Sequence, residues 1–314
     1  MEKRFEFARF DIVSDDSDHH FLDSNNGKWF NDSKVYSRIM RDWRILEQNL
    51  PESIYVRVYE RRIDLMRAVI VGAAGTPYHD GLFFFDIRFP SDYPKHPPEL
   101  HYHSFGIRLN PNLYPDGQVC LSLLNTWYGK QREKWDPSQS TILQVLLSIQ
   151  ALVLNDKPFF NAPDTAFLAR FFDYETNSRA YNENAFILTC FTSFHLLRNL
   201  PLNFEPFVAA HFRHRAVAIL SACKEYVYGR VNVGYYSSQL PLSSATVQVS
   251  QNFKTRMVLF YPRLVQAFRE NGSSLRDLAQ HLELQIEKKS KNKRSGVFNK
   301  IIQKIKQTLG WKKN

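Results

Sequence analysis

The chain of 314 residues is 44% hydrophobic and 23% charged, a composition that is ordinary for a soluble globular protein with a substantial core. It shows no apolar run of about 18 residues and no recognisable signal peptide, and its three cysteines are too far apart to suggest a disulfide framework. We therefore expect a protein of the cytosol or nucleus. The formal net charge of +10 lies in residues 288–314, which contain ten of the 41 Lys and Arg residues and none of the 31 Asp and Glu residues.

Residues 1–32 are polar, and we predict that they form an irregular segment. They include a cluster of acids and histidines at Asp15, Asp16, Asp18, His19 and His20. Such a cluster could hold a metal ion, but adjacent histidines without a second group of ligands more often cap a turn or bind water. We predict no metal site.

A helix is predicted from Ser33, as its N-cap, to about Leu50, because apolar residues recur at helical spacing and Pro51 follows. The apolar positions are Val35, Ile39, Trp43, Leu46 and Leu50. Arg38 and Arg41 point away from this face, and a solvated surface is one of two equally weighted interpretations of them.

Four runs of β-branched and aromatic residues, broken by Gly, Pro and Asp, predict an antiparallel meander. The runs are Ile54–Tyr59, Leu65–Val71, Leu82–Phe89 and Glu99–His103. Prolines at positions 94, 97 and 98 stiffen the loop before the last strand and hold the next segments at a fixed angle.

The segment 109–124 carries the residues with the clearest chemical potential. Cys120 follows the triplet Asn110-Pro111-Asn112 by eight residues, and a thiolate there could accept an acyl group. The two amides could donate to a developing oxyanion. Because no histidine lies close in sequence to act as a base, thioester exchange is favoured over hydrolysis by a Cys-His pair.

This segment resembles the active-site segment of ubiquitin-conjugating enzymes, in which His-Pro-Asn precedes the thioester cysteine at the same spacing. Three further motifs follow the order of that family. Tyr78–Phe89 resembles its third strand, Pro90–Pro98 its proline loop, and Trp135-Asp136-Pro137-Ser138 its tryptophan loop. The resemblance extends from about residue 33 to residue 163 and, more narrowly, to residue 229. The sequence Leu-Asn-Pro-Asn-Leu-Tyr and an insert before Trp135 resemble a subgroup that contains large plant enzymes of the phosphate-homeostasis type and animal conjugating/ligase hybrids.

The resemblance implies an α+β fold with an N-terminal helix, a four-stranded antiparallel meander, a crossing active-site segment and C-terminal helices. It implies that Cys120 carries ubiquitin and that Asn112 either donates to the oxyanion or holds the active-site loop. Asn110 stands where the family has histidine. Many relatives also have an acid near the cysteine, and here Ser122 and Phe159-Phe160-Asn161 occupy those positions.

Two partner surfaces are also implied by the resemblance. Arg38 and Arg41 are candidates for binding the activating enzyme. Lys95, Pro137 and Ser138 fall on the surface where ligases dock, although many relatives have an apolar residue at position 95. That difference favours an enzyme that selects substrates itself over one that depends on ordinary RING ligases. No cofactor is expected, because the upstream activating enzyme uses the ATP.

The segment after the cysteine contains a basic insert, Asn125–Lys134, which is either a plain surface loop or a contact with substrate or ubiquitin. Ser140 is predicted to cap an apolar helix from Thr141 to about Leu154. We divide the chain into an N-terminal segment 1–32, a core 33–172, C-terminal helices 173–236, a linker 237–252, a helical extension 253–287 and a tail 288–314. Cys190 and Cys223 are predicted to be buried core thiols.

The basic tail has an amphipathic pattern. Its apolar side comprises Phe298, Ile301, Ile302, Ile305 and Leu309, followed by Trp311. Three interpretations compete: a helix on an anionic endomembrane surface, a helix that packs on a partner, and, with less weight, a nuclear-import or nucleic-acid patch. No nucleic-acid partner is expected, because no other part of the chain interleaves aromatic and basic residues.

The sequence leaves two main hypotheses for the function of the chain. The first is a ubiquitin-conjugating enzyme, whose partners are ubiquitin, the activating enzyme and substrate proteins, with or without a ligase. The second is a non-catalytic scaffold or adaptor of the same fold, recruited through its basic tail. Retention of Cys120 and Asn112 favours the enzyme, whereas the missing acids favour the scaffold.

Overall fold

The computed structural model describes residues 6–23, 33–162, 174–237 and 246–275, and all structural statements concern these residues. They form one five-stranded sheet in the order β1-β2-β3-β4-β5. The strands are β1 (Phe10–Val13), β2 (Ile54–Tyr59), β3 (Leu65–Val71), β4 (Leu82–Arg88) and β5 (Glu99–Tyr102). The helices are α1 (Ser33–Asn49), α2 (Ile142–Ser148), α3 (Tyr174–Leu196), α4 (Glu205–Val227) and α5 (Gln251–Glu270).

Strand β1 was not expected, because residues 1–32 were predicted to be irregular. It pairs in parallel with β2, with Phe10 opposite Val56, so the sheet is mixed and has five strands instead of four antiparallel ones. The short run Phe-Asp-Ile-Val carries an acid, and Ile12 is 53% exposed, as suits an edge strand. The other four strands form the antiparallel meander that the sequence predicts.

Both faces of the sheet are covered. Met66, Ala68 and Ile70 of β3 lie in a core shared with α1 and α2, whereas Val69 belongs to a second core shared with the C-terminal helices. Strand β4 alternates in the same way, and Phe84 packs edge-on against Phe204, with 5.2 Å between the ring centres. The central strands are therefore buried on both sides, which explains their nearly continuous apolar sequence.

A charged cluster lies on the same face of the sheet as Val69, where the N-terminal segment covers it. Arg67 and Asp86 are opposite each other on β3 and β4, and both are fully buried. Arg67 donates two hydrogen bonds to Asp86, at 2.6 and 2.9 Å, and a third to Asp18 at 2.7 Å. The backbone N–H of His20 also donates to Asp86, at 2.8 Å.

This cluster fixes the acidic and histidine-rich part of the N-terminal segment to the sheet. Burial alone raises the pKa of Asp86, but hydrogen bonds from His103 and Arg67 outweigh it and hold that pKa well below its usual range. Within the described residues, no group of His, Cys, Asp and Glu could hold a metal ion. The histidines and acids instead pack and pair with one another.

The helix after the tryptophan loop begins differently from the prediction. Thr141, not Ser140, is the N-cap, and its hydroxyl accepts from the N–H of Gln144 while the Gln144 side chain accepts from Thr141. The Ser140 hydroxyl instead accepts from the Asp136 N–H at 2.9 Å and closes the preceding turn. After Ser148 the backbone continues as a π-helix over Ile149–Val153.

The C-terminal helices α3, α4 and α5 enclose the second core. Cys190 and Cys223 are buried in it, with their sulfur atoms 4.0 Å apart, as the sequence predicts for core thiols. Helix α5 begins at Gln251, inside the predicted linker, because the Ser250 hydroxyl caps it. Residues 276–287 of the predicted extension lie outside the described residues. Among the helices that are described, none combines the length and apolar character needed to cross a membrane.

Candidate active site

Cys120 lies at the end of a tight loop that is closed on itself. Leu113 and Val119 form an antiparallel bridge, and the N–H of Cys120 donates to the carbonyl of Asn112 at 2.9 Å. The turn between them requires glycine at position 117, where φ is +89° and a Cβ would lie 2.1 Å from the ring of His101. The sequence around the cysteine therefore places the thiol on a short, strongly constrained segment.

Asn110 is a structural residue. It is completely buried, and its amide donates to the Tyr78 hydroxyl at 2.8 Å and to the Val153 carbonyl at 2.7 Å. Its oxygen accepts from the N–H of Asn112 at 2.8 Å. The side chain thereby joins the active-site loop to the end of the helix that crosses behind it. It has no donor left for a reacting group.

Asn112 holds the backbone of the nucleophile. Its side-chain amide donates to the carbonyl of Cys120 at 2.8 Å, and no hydrogen-bond partner within the described structure is recorded for its buried Oδ1 atom. The sequence left two roles open for Asn112. This geometry favours the positioning role over donation to an oxyanion, because the side-chain amide already donates to the Cys120 carbonyl.

Replacement of Asn112 by alanine tests that assignment. We expect the free energy of unfolding to fall by about 1 kcal/mol through loss of the hydrogen bond. The rates of Cys120 loading and of discharge onto free lysine should decrease by equal factors, since both steps need the cysteine in place. Single-turnover assays of the two steps provide the measurement, with Asn177→Ala on the exposed side of α3 as the control. Slower discharge with normal loading would instead assign the oxyanion role.

The thiol of Cys120 lies in a shallow, mostly covered position, since the residue is only 4% exposed. Burial raises the pKa of the thiol, whereas the nearby guanidinium of Arg108 and a hydrogen bond with Tyr114 lower it. Arg108 lies over the ring of Tyr114, 4.4 Å from its centre. Because the net shift is upward, the thiol is mostly protonated at neutral pH. This suits slow exchange with a thioester better than attack on an amide.

The pH dependence of loading follows from that shift. Where thiol attack limits the rate, loading should increase about tenfold per pH unit between about pH 7 and about pH 8.5, without a plateau. Arg108→Gln should slow loading several-fold at a fixed pH, because removal of the positive charge raises the pKa of Cys120 further. The exposed Arg61→Gln variant serves as the control. A plateau below about pH 8 would contradict the raised pKa.

The acids near the site do not contact the thiol. Asp116 is close enough to raise the pKa of Cys120, but its carboxylate accepts from the Gln118 N–H at 3.1 Å. Asp156 is exposed, and its carbonyl accepts from Asn182 at 2.8 Å. Tyr114 is the hydrogen-bond partner of the thiol within the described residues, and neither acid is.

The structure brings the predicted ligase-docking residues together. The indole N–H of Trp135 donates to the Pro94 carbonyl at 2.6 Å, which joins the tryptophan loop to the proline loop. Lys95 follows Pro94 directly, and Pro137 and Ser138 follow Trp135 by two and three residues, all exposed. Their role in docking stays a prediction.

The two arginines predicted to bind the activating enzyme differ. Arg41 is exposed. The side chain of Arg38 is only 10% exposed, because its guanidinium pairs with Asp42 at 3.1 Å and donates to the Ser140 carbonyl at 2.5 Å. Asp42 also accepts from the Tyr93 hydroxyl at 2.7 Å. Arg41 is therefore the more accessible of the two, and Arg38 connects α1 to the two loops.

Several contributors to the site were not predicted from the sequence. Arg108 and Tyr114 tune the thiol, and Thr126 accepts from the Leu121 N–H at 3.0 Å and so braces the residue after the cysteine. Their only sequence signal was proximity to Cys120. The predicted tail helix, with Phe298, Ile301, Ile302, Ile305, Leu309 and Trp311, lies outside the described residues.

Comparisons with known proteins agree with this geometry. The family model described as "Ubiquitin-conjugating enzyme" matches residues 38–187. The putative ubiquitin-conjugating enzyme E2 38 of Arabidopsis thaliana is 45% identical over 267 residues, which cover 85% of this chain and 82% of that protein. The probable ubiquitin-conjugating enzyme E2 24 of the same plant is 51% identical over 270 residues, 85% of this chain and 29% of that protein.

A human relative is similar at a lower level. The dual E2 ubiquitin-conjugating enzyme/E3 ubiquitin-protein ligase BIRC6 is 36% identical over 253 residues, 75% of this chain and 5% of that protein. The chain matches 29%, 25%, 37% and 51% of the lengths of four plant relatives, so it spans from a quarter to a half of them. With the family motifs in order, a matching fold and two relatives of which it covers more than four fifths, the chain belongs to the ubiquitin-conjugating enzyme family.

Proposed function

We propose that this chain accepts the C-terminus of ubiquitin as a thioester on Cys120 and transfers it to the amine of a substrate lysine. The observation that carries the proposal is the constraint on the nucleophile. Asn112 holds the Cys120 backbone from both its own carbonyl and its side-chain amide, while Asn110 fixes Asn112 in turn. A cysteine whose backbone is held in place by a buried amide, itself held by a second one, suits a carrier of an activated acyl group.

The chemistry consists of two acyl transfers. The thiolate of Cys120 attacks the carbonyl of the thioester on the activating enzyme, and the thiolate of that enzyme leaves. A neutral lysine amine then attacks the new thioester, the Cys120 thiolate leaves, and the surplus proton passes to solvent. The energy of the thioester is conserved in the first step, so this chain needs no ATP and no cofactor of its own. The second transfer requires a deprotonated lysine, because only the neutral amine is a nucleophile.

A loading assay tests the proposal. The full chain is incubated with activating enzyme, ATP and ubiquitin, and an adduct that is lost on treatment with thiol is expected. Parallel reactions offer ubiquitin-like modifiers with their own activating enzymes, and we expect ubiquitin to be preferred. If no modifier forms a thiol-sensitive adduct, the proposal fails.

We further propose that the chain transfers ubiquitin without a separate RING ligase. Lys95 places a charge at the exposed junction of the proline and tryptophan loops, where an apolar contact is unfavourable. The printed name of the human relative combines conjugating and ligase activities in one protein. Transfer to a substrate in a reaction that contains only activating enzyme, ATP, ubiquitin and this chain is the test.

The second candidate function is a non-catalytic scaffold. The low exposure of Cys120 and, within the described residues, the lack of a hydrogen bond between its thiol and an acid favour it. Discharge kinetics separate the two functions, because a scaffold would load without passing ubiquitin to any amine. We place the protein in the cytosol or nucleus. Recruitment of its tail to an anionic membrane is tested by binding to vesicles before and after truncation at Glu287.

A further inference from the structure

The insert Asn125–Lys134 is attached directly to the residues that flank the nucleophile. The Thr126 hydroxyl accepts from the Leu121 N–H at 3.0 Å and donates to the Val119 carbonyl at 2.8 Å. The hydroxyl of Ser122 donates to the Tyr128 carbonyl at 3.1 Å. These hydrogen bonds tie the insert to the backbone on both sides of Cys120, so its surface borders the thiol at a fixed position.

The outer side of this insert is aromatic and basic. Tyr128 is 86% exposed, more than the other exposed large hydrophobic residues of the described structure. Lys130, Arg132 and Lys134 are exposed as well. The one acid of the insert, Glu133, is engaged by the turn, since its carboxylate accepts from the Lys130 N–H. A large aromatic ring that remains in solvent among fixed positive charges is the composition of a protein-binding surface.

A further positive charge lies near the thiol. Arg108 is exposed, lies over the ring of Tyr114 and acts electrostatically on Cys120. Ser122 occupies the position two residues after the cysteine, where it adds no negative charge. The exposed side chains of the insert and of its surroundings therefore carry more positive than negative charge, with Asp116 and Glu133 as the acids, which favours an acidic partner.

We propose that Tyr128, Lys130, Arg132 and Lys134 form a docking surface for the acceptor protein, and that it selects acceptor lysines flanked by Asp and Glu. The proposal rests on the function proposed above. The acceptor is the partner that benefits, because it arrives by diffusion and needs affinity and steering. Donor ubiquitin is already tethered to Cys120 at a high effective concentration.

Single-turnover discharge of the loaded chain tests the docking surface with three acceptors: free lysine, a lysine peptide with Asp and Glu flanks, and the same peptide with Gln and Ser flanks. The wild-type chain should discharge faster onto the acidic peptide, with an advantage that decreases as salt is added. In Tyr128→Ala/Arg132→Glu, discharge onto the acidic peptide should slow about tenfold through a higher KM. Discharge onto free lysine should remain within about twofold of wild type, since free lysine does not use the surface.

The matched control is Leu259→Ala/Arg61→Glu, which removes another exposed apolar side chain and reverses another exposed charge away from the insert. It should discharge as the wild type does. Equal losses on the acidic peptide and free lysine would show that the insert serves donor ubiquitin, and absence of any preference for the acidic peptide would show that it is a plain surface loop. Either result overturns the proposal.

Binding of the fluorescent acidic peptide to the unloaded full chain separates this inference from the proposed function. Binding that the Tyr128→Ala/Arg132→Glu variant weakens, in a chain that never loads ubiquitin, would retain the docking surface and reject the conjugating activity. Normal loading with no binding and no acceptor preference would do the reverse.

Discussion

Replacement of Cys120 by alanine is expected to abolish the thiol-sensitive ubiquitin adduct, to below the detection limit of a loading assay. The other two cysteines cannot substitute, because both are buried in the second core and burial raises the pKa of Cys190 well above its usual value. The measurement is non-reducing electrophoresis after incubation with activating enzyme, ATP and ubiquitin. Unfolding curves of the variant and the wild type should nearly coincide, since one sulfur atom near the surface is lost.

Two companion variants sharpen this experiment. Cys120→Ser should form an oxyester that survives thiol but is cleaved by alkali, because a serine hydroxyl can accept the acyl group yet leaves poorly. Cys190→Ala should load as the wild type does. An adduct that persists in Cys120→Ala and disappears on reduction would move the nucleophile to another residue and remove the basis of the proposed function.

The substitution with the largest expected effect on stability is Asp86→Ala. It leaves the buried Arg67 with only the partly exposed Asp18 as a carboxylate partner, and it removes the acceptor for the His20 N–H. Loss of one partner of a buried ion pair costs about 3–5 kcal/mol of unfolding free energy. Urea denaturation at neutral pH provides the measurement.

The control for this prediction is Glu99→Ala. Glu99 lies on the edge strand β5 and its ion pair with Arg88 is partly exposed, so the substitution should cost less than about 1 kcal/mol. The pKa of Asp86 is lowered in the folded state, so its stabilising contribution is complete above the unfolded pKa and is lost as the pH falls toward the folded value. The difference between Asp86→Ala and the wild type should therefore shrink below about pH 4. Equal costs for the two variants at neutral pH would show that the buried cluster is not a stabilising core.

The predictable parts of the structure are those with local signals. Helix α1 and the antiparallel meander follow from periodicity and turn residues, and the thioester segment follows from the resemblance of its motifs. The placement of Cys190 in a core was predictable from its apolar neighbours at helical spacing. These features depend on residues that are close together in the chain.

The unpredicted parts depend on long-range partners. Strand β1 exists because the 10–13 segment finds the free edge of β2, more than forty residues later in the chain. The roles of Arg67 and Asp86 depend on a register between two strands and on a third partner from the N-terminal segment. A signal was visible in the sequence, since Arg67 is the only charge in the run Leu65–Val71 and Asp86 shares the run Leu82–Phe89 only with Arg88.

The sheet with two covered faces has a consequence for the size of the unit that can fold. The family model stops at residue 187, in the middle of α3, and the helix that carries Phe204 and Phe207 onto the sheet comes later still. A fragment that ends at that border would expose the apolar side chains of Val69, Leu82 and Phe84 to water and would aggregate. The shortest fragment that we expect to fold without aggregating therefore extends to the end of α5, beyond the residues that the family model matches.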